Sequence, residues 1–262
     1  SLTIGTTPLQ IGIVILGATI SLPYAWNVSA NYLPWISLFV LGSFFTGLVL
    51  GKILGIHHRI AFLLSAGAAI CGGTAMAAVA PIIKAKPQEL LIAMTIVFLL
   101  NALAIIFFPI IGGYLEMTNF QFGAWSALAI HDTSSVIGSA LTYSNESAQV
   151  AATLKLGRTI WIIPLILITN WVINHQAETT KFPRFILFFI LAIILNTALN
   201  FDDQVLDLLK IASQFFLMLG LFCIGTQFKV QELKSISGKP LILALILWIM
   251  VIPSAYWLVM YL

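Results

Sequence analysis

Apolar runs of about 17 to 25 residues recur along the chain, each long enough for a helix rising about 1.5 Å per residue to cross a hydrocarbon core of about 30 Å. Polar and apolar residues do not alternate within them, so they are not the tilted strands of an outer-membrane barrel. Hydrophobic residues occupy 60% of the 262 positions, charged residues 8%, and mean hydropathy is +1.05. Such a composition needs lipid as its solvent. Runs bounded by loop signals predict spans at 9–23, 35–54, 88–112, 150–174, 182–200, 206–227 and 239–262. The expected fold class is an all-α polytopic membrane protein of about seven transmembrane helices, with residues 1–262 forming a single transmembrane domain.

Two further segments, near 60–83 and 120–147, are apolar at their ends and polar or small at their centres. The first reads SAGAAICGGTAMAAVAP from Ser65 to Pro81, with Gly72, Gly73 and Thr74 in its middle. The second, SALAIHDTSSVIGSA from Ser126 to Ala140, sets His131, Asp132, Thr133, Ser134 and Ser135 in a row. Irregular backbone and ionisable groups at membrane depth are tolerated only where protein buries them or a watery cavity receives them. These segments are therefore expected to be broken helices or re-entrant hairpins. An ungapped offset of about 60 places Gly72 on Asp132 and Gln88 on Ala148, the mark of an internal repeat. A fainter echo pairs LGATISL around Gly17 with IGTQFKV around Gly225.

Orientation follows from the basic loops, which belong on the cytoplasmic side. Lys229, Lys234 and Lys239 mark the loop after the 206–227 span as cytoplasmic, while Asp202, Asp203 and Asp207 precede that span. Counting back puts Lys181 and Arg184 inside, and, if both broken segments are hairpins, also Lys52, Arg59, Lys84 and Lys86, with Glu116 and Glu146 outside. Crossing segments would move only the turns at Lys84–Glu89 and at Glu116, so hairpins are favoured but crossing stays open. Hairpins would enter from opposite faces as an inverted repeat, the architecture of many secondary transporters.

Two interrupted helices meeting near the midplane expose unpaired amides that seat an anion. Cys71, Gly72, Gly73, Thr74, His131, Asp132, Thr133, Ser134 and Ser135 are the expected substrate-binding residues: the glycines admit close approach, and the hydroxyls donate to oxyanion oxygens. His131 and Asp132 are also expected to couple transport to a proton or sodium ion, and Asp132 has the alternative role of capping the arm that follows it. Lys155 and Arg158, three residues apart on one helical face, read as semi-buried. They are further coupling candidates that attract an anion, snorkel to the interface, or pair with Asp132 and Glu146. Trp26, Trp35, Trp125, Trp161, Trp171 and Trp257 fall near span ends, as aromatic belts do, and His57 and His58 read as solvated.

The net charge of +3 is spread over short loops and gives no nucleic-acid groove. Cys71 and Cys223 lie in apolar context without metal-ligand spacing, so no disulfide, metal site or cofactor is expected. The chain opens on Ser1 with no leader-like segment, as a processed or truncated form would.

At these motifs the sequence resembles a bacterial family of conserved membrane proteins described as sulfate exporters. The stretches that carry the resemblance are GAAICGGTAMAAVAPIIKAKPQE (Gly67 to Glu89), GAWSALAIHDTSSVIGSA (Gly123 to Ala140), VAATLKLGRTIWIIPL (Val150 to Leu165) and LQIGIVILGATISL (Leu9 to Leu22). The resemblance implies a multi-pass transporter of the bacterial inner membrane for sulfate or a related oxyanion or sulfonate, with N-terminal helices missing from this chain. More loosely, ICGGTA resembles the broken helices of bile-acid-type sodium symporters, which implies a core at about 57–175 moving against scaffold helices at about 1–54 and 182–262.

The expected function is thus secondary active transport of a small anion (sulfate, sulfite or sulfonate-like) by alternating access, and a homodimer is compatible with it. An anion channel is the nearest alternative. An intramembrane hydrolase built on Ser134 or Ser135 beside His131 is the other, although no nucleophile elbow supports it. No enzymatic activity is expected.

Overall fold

The computed structural model of the protein describes residues 3–173, 184–225 and 238–261. The elements are α1 (Thr3–Gly17), α2 (Leu22–Ile53), α3 (His58–Ala69), α4 (Gly73–Val79), α5 (Pro87–Tyr114), α6 (Asn119–Ala129), α7 (Thr133–Tyr143), α8 (Asn145–Thr159), α9 (Ile162–Ile173), α10 (Arg184–Leu199), α11 (Asp203–Gly225) and α12 (Gly238–Tyr261). Among the described residues there is no strand. Local chemistry explains several starts. Pro23 and Pro87 stand in the first turns of α2 and α5, where a missing N–H costs nothing. Thr118 and Gln121 close a capping box on α6, and the Ser144 hydroxyl accepts from the Ser147 amide at 3.0 Å to start α8.

Among the described residues, four helical stretches are long and apolar enough to cross a membrane: Tyr32–Ile53, Pro87–Tyr114, Asn145–Ile173 and Gly238–Tyr261. The expected count of about seven is not reached by this criterion. The spans expected at 9–23, 182–200 and 206–227 correspond to α1, α10 and α11, which fall outside the set found among the described residues; α1 has 15 residues and α10 has 16. Helix α2 begins at Leu22, well before the expected start at 35. Lys181, Lys229 and Lys234, which supported the orientation count, lie outside the described residues.

Both broken segments turn back on themselves. A Cβ on Gly67 of α3 would lie 3.2 Å from Met76 Cγ of α4, whereas nine positions along a continuous helix are about 13 Å apart. At the open end of this hairpin, Glu89 of α5 pairs with His57 (3.4 Å) and Arg59 (3.9 Å). In the second hairpin the Phe122 ring, at the start of α6, stacks on Tyr143, at the end of α7, with centroids 4.0 Å apart. The Tyr143 hydroxyl donates to Met117 O at 2.5 Å.

Helix α5 explains the relation between the hairpins. Its 28 residues run about 42 Å from the open end of the first hairpin, at Glu89, to that of the second, beyond Tyr114. The hairpins therefore point toward each other from opposite ends, and their tips meet near its middle. The helix starts that follow the tips have N-caps at Gly72 and Asp132, separated by the same 60 residues as the sequence offset.

Charge separates along the same axis. At the end where the spans terminate in Ile53, Pro87, Ile173 and Gly238 stand Lys52, Arg59, Lys84, Lys86 and Lys239, with Glu89; at the opposite end stand Glu116 and Glu146. His57 is exposed, as expected of a solvated residue, and also lies 3.4 Å from Glu89, with its ring tilted against that of His58 at 4.5 Å between centroids.

Packing groups the helices into two clusters. The larger one joins both hairpins with α5, α8, α9 and also α2 and α12, which the sequence division placed on the scaffold side. The smaller joins α1, α10 and α11 to faces of α7 and α8. Close approach in it needs glycine: a Cβ on Gly12 would lie 2.8 Å from Leu217 N. Trp26, Trp35, Trp171 and Trp257 are exposed, consistent with aromatic belts, whereas Trp125 is buried, stacks on Phe108 at 4.3 Å and donates to Ile252 O at 3.1 Å. Trp125 is a core residue, which corrects its expected place in a belt.

Candidate functional site

The first hairpin breaks because Gly72 adopts φ 61° and ψ −123°, a conformation of the first central residue of a type II′ turn that side chains exclude. Its amide reaches back to Gly67 O at 2.9 Å, closing the end of α3. On the other side Gly72 faces the second hairpin: a Cβ here would sit 3.3 Å from Asp132 Cβ and 3.4 Å from Asp132 Cα. The backbone conformation requires glycine, and the close approach leaves little room for a side chain. Gly72→Ala is expected to cost about 1–3 kcal/mol from backbone strain alone, and chemical denaturation of the purified protein in detergent checks this; a change below about 0.5 kcal/mol would mean that the turn relaxes freely.

Asp132 breaks the second hairpin by capping α7. Its carboxylate accepts from the Ser135 amide at 3.1 Å and from the Ser135 hydroxyl at 3.2 Å. The first turn of α7 is thus supplied with a negative partner from its own chain, and it is not the open amide seat for an anion that the sequence led us to expect. Capping leaves Asp132 partly accessible, together with Ser134, while Thr74 is exposed. Cys71, Gly73, Thr133, Ser135 and His131 are buried behind them. The predicted site residues of the two segments therefore converge, and Thr74, Asp132 and Ser134 form the accessible side of the junction.

The C-terminal ends of α3 and α6 meet two cations from α8. Arg158 donates through Nε to Ala69 O (2.6 Å), through Nη2 to Ala68 O (2.5 Å), and through Nη1 to Leu128 O (2.7 Å) and Ala127 O (3.2 Å). Lys155 Nζ donates to Ile130 O (2.6 Å) and Ala127 O (3.4 Å). Both side chains are 0% exposed. This corrects the semi-buried reading: neither residue snorkels, and no described carboxylate lies within ion-pairing distance of either. Physically they do at two helix ends what basic residues do at one, satisfying last-turn carbonyls and opposing the negative pole of the helix dipole. The Arg158 guanidinium also lies 5.5 Å from the centroid of the Phe39 ring, which ties α2 to the junction.

Asn101 of α5 was missed by sequence reasoning. It is 2% exposed, and its Oδ1 accepts the His131 amide at 3.3 Å, holding the second tip against the middle of α5. The available signal was a single carboxamide near the centre of a long apolar run, where polar residues are costly and need partners. Asn101 Nδ2 and His131 Nδ1 are buried without a hydrogen-bond partner among the described residues. Two polar groups that are otherwise expensive to bury thus stand unspent beside the junction. Among the described residues, no group of three His, Cys, Asp or Glu side chains could hold a metal ion.

The sequence matches the family model described as "Conserved hypothetical protein 698" over residues 2–244. Similar proteins include a UPF0324 membrane protein of Bacteroides thetaiotaomicron, 39% identical over 93% of this chain and 74% of the relative. Another UPF0324 membrane protein, from Vibrio vulnificus, is 38% identical over 96% of this chain and 83% of its own length. A third, from Bdellovibrio bacteriovorus, is 40% identical over 93% and 77%. Their names state a membrane protein and no solute. No solved structure matches.

Proposed function

Because the chain belongs to the conserved hypothetical protein 698 family of membrane proteins, we propose that it is a secondary carrier for a small anion, with the apposed hairpin tips as its substrate site. The observation that carries this reading is the approach of Gly72 to Asp132, two helix breaks from opposite ends of the fold brought into direct contact. Broken helices meeting at mid-depth are how carriers expose backbone and polar side chains to a solute without exposing them to lipid. A bound anion would meet Thr74 and Ser134 at the accessible side, with His131 and Asn101 behind them. Two basic side chains, Lys155 and Arg158, stand behind the junction against the single carboxylate of Asp132, a balance that favours a negative solute of the sulfate, sulfite or sulfonate class. The membrane is the bacterial inner membrane, with the basic ends of the spans in the cytoplasm.

The same geometry favours a proton over a sodium ion as the coupling partner. Sodium ions in such carriers bind at unwound carbonyls and half-helix C-terminal ends, and here the carbonyls of Ala68, Ala69, Ala127, Leu128 and Ile130 already accept from Lys155 and Arg158. Asp132 and His131 are the groups left to exchange a proton. A hydrolytic role is disfavoured because the Ser135 hydroxyl donates to Asp132 rather than to His131.

The test is uptake by the full-length protein in liposomes, with sulfate, sulfite, taurine and small carboxylates offered under imposed proton or sodium gradients. The expected result is saturable uptake of one anion class that follows the proton gradient and is unchanged when potassium replaces sodium. Flux that rises linearly with concentration would indicate a channel, and flux of none of these anions would overturn the anion-carrier reading.

A further inference from the structure

A second charged cleft lies outside the junction, at the open end of the first hairpin. It encloses about 490 Å³ between α2, α3, α9 and the turn after α4. Its polar side is formed by His58, Arg59 and Lys84, and its walls by Leu48, Phe62 and Ile83. Arg59 Nε is buried without a hydrogen-bond partner among the described residues, and no described carboxylate lies within ion-pairing distance of Lys84. The first turn of α3 opens here too, and its N-cap, His57, makes no side-chain capping bond.

Depth in the membrane identifies what such a cleft can hold. Ile53, Pro87, Ile173 and Gly238 are the terminal residues of the four membrane-length stretches at this end, so the cleft sits where hydrocarbon gives way to headgroups. Ile173, on its rim, is 46% exposed and opens the apolar wall sideways toward acyl chains. A soluble oxyanion gains nothing from Leu48, Phe62 and Ile83, whereas a phospholipid meets basic groups with its phosphate and apolar walls with its chains. We infer that this cleft binds an anionic phospholipid, its phosphate between His58, Arg59 and Lys84. The site stands apart from the transport reading and does not depend on it.

The experiment uses the full chain in a neutral detergent, titrated with phosphatidylglycerol, phosphatidylcholine or inorganic phosphate and followed by thermal unfolding. Phosphatidylglycerol is expected to raise the unfolding temperature saturably, with the other two probes having little effect. Lys84→Gln, at an exposed position, is expected to weaken phosphatidylglycerol binding about fivefold, the value of one basic contact at an anionic surface. His58→Gln serves as a second variant within the cleft and is expected to weaken binding in the same direction. Lys239→Gln removes the same charge from the same face outside the cleft and is expected to change binding less than twofold. Equal weakening by Lys239→Gln would replace a built site with diffuse surface charge and overturn the inference. Stabilisation by millimolar inorganic phosphate that matches phosphatidylglycerol would assign the cleft to a soluble anion, and would overturn it as well.

Discussion

Arg158→Ala is expected to destabilise the protein by about 3–5 kcal/mol, the usual cost of removing one partner from a buried charged network. The guanidinium makes four hydrogen bonds to backbone carbonyls of α3 and α6. Alanine would leave these acceptors facing a cavity from which lipid and protein both withhold donors. Two hairpins that approach from opposite ends would lose the group that joins them, so both tips should loosen together. Arg158→Lys keeps the charge but replaces a planar fork with one ammonium, and is expected to recover only part of the loss. Chemical unfolding in detergent reads the effect directly. A loss below about 1 kcal/mol for the alanine variant would show that the carbonyls find other donors and that Arg158 does not hold the hairpins.

The second large effect concerns transport without stability. Asp132→Asn retains an oxygen that can accept the Ser135 amide, and asparagine caps helices about as well as aspartate, so the folded state should change by less than about 1 kcal/mol. It removes the carboxylate that can carry a proton. Proton-driven uptake is expected to fall on the order of 100-fold, the contribution typical of a positioned proton-exchanging group. Asp132→Ala, by contrast, should also lose about 1 kcal/mol of stability with its cap. Unchanged uptake in a well-folded asparagine variant would leave Asp132 as a capping residue and remove it from the coupling mechanism.

Much of the junction was legible in the order of residues. Gly72 and Asp132 could be picked out because each interrupts an apolar run with a residue that is costly in a lipid-facing helix, and their spacing of 60 marks corresponding positions in two hairpins. The capping role of Asp132 was legible for the same reason, since an N-cap and the amide it satisfies lie within three residues. Lys155 and Arg158 were legible as unusual but not as what they are. Their partners lie 25 to 90 residues away, and side-chain spacing on α8 could not distinguish a carbonyl clamp from an anion seat. Asn101 was overlooked because one carboxamide barely alters the hydropathy of a 28-residue helix.

Membrane residence, helical class and the positions of the two breaks follow from sequence alone, because run length and backbone chemistry are local properties. The tertiary structure alone decided which carbonyls the buried cations satisfy, and that His131 rests on Asn101. Those outcomes depend on the two hairpins meeting tip to tip beside α5 and α8, and hydrogen bonds shorter than about 3.5 Å between distant residues exist only once the chain has folded.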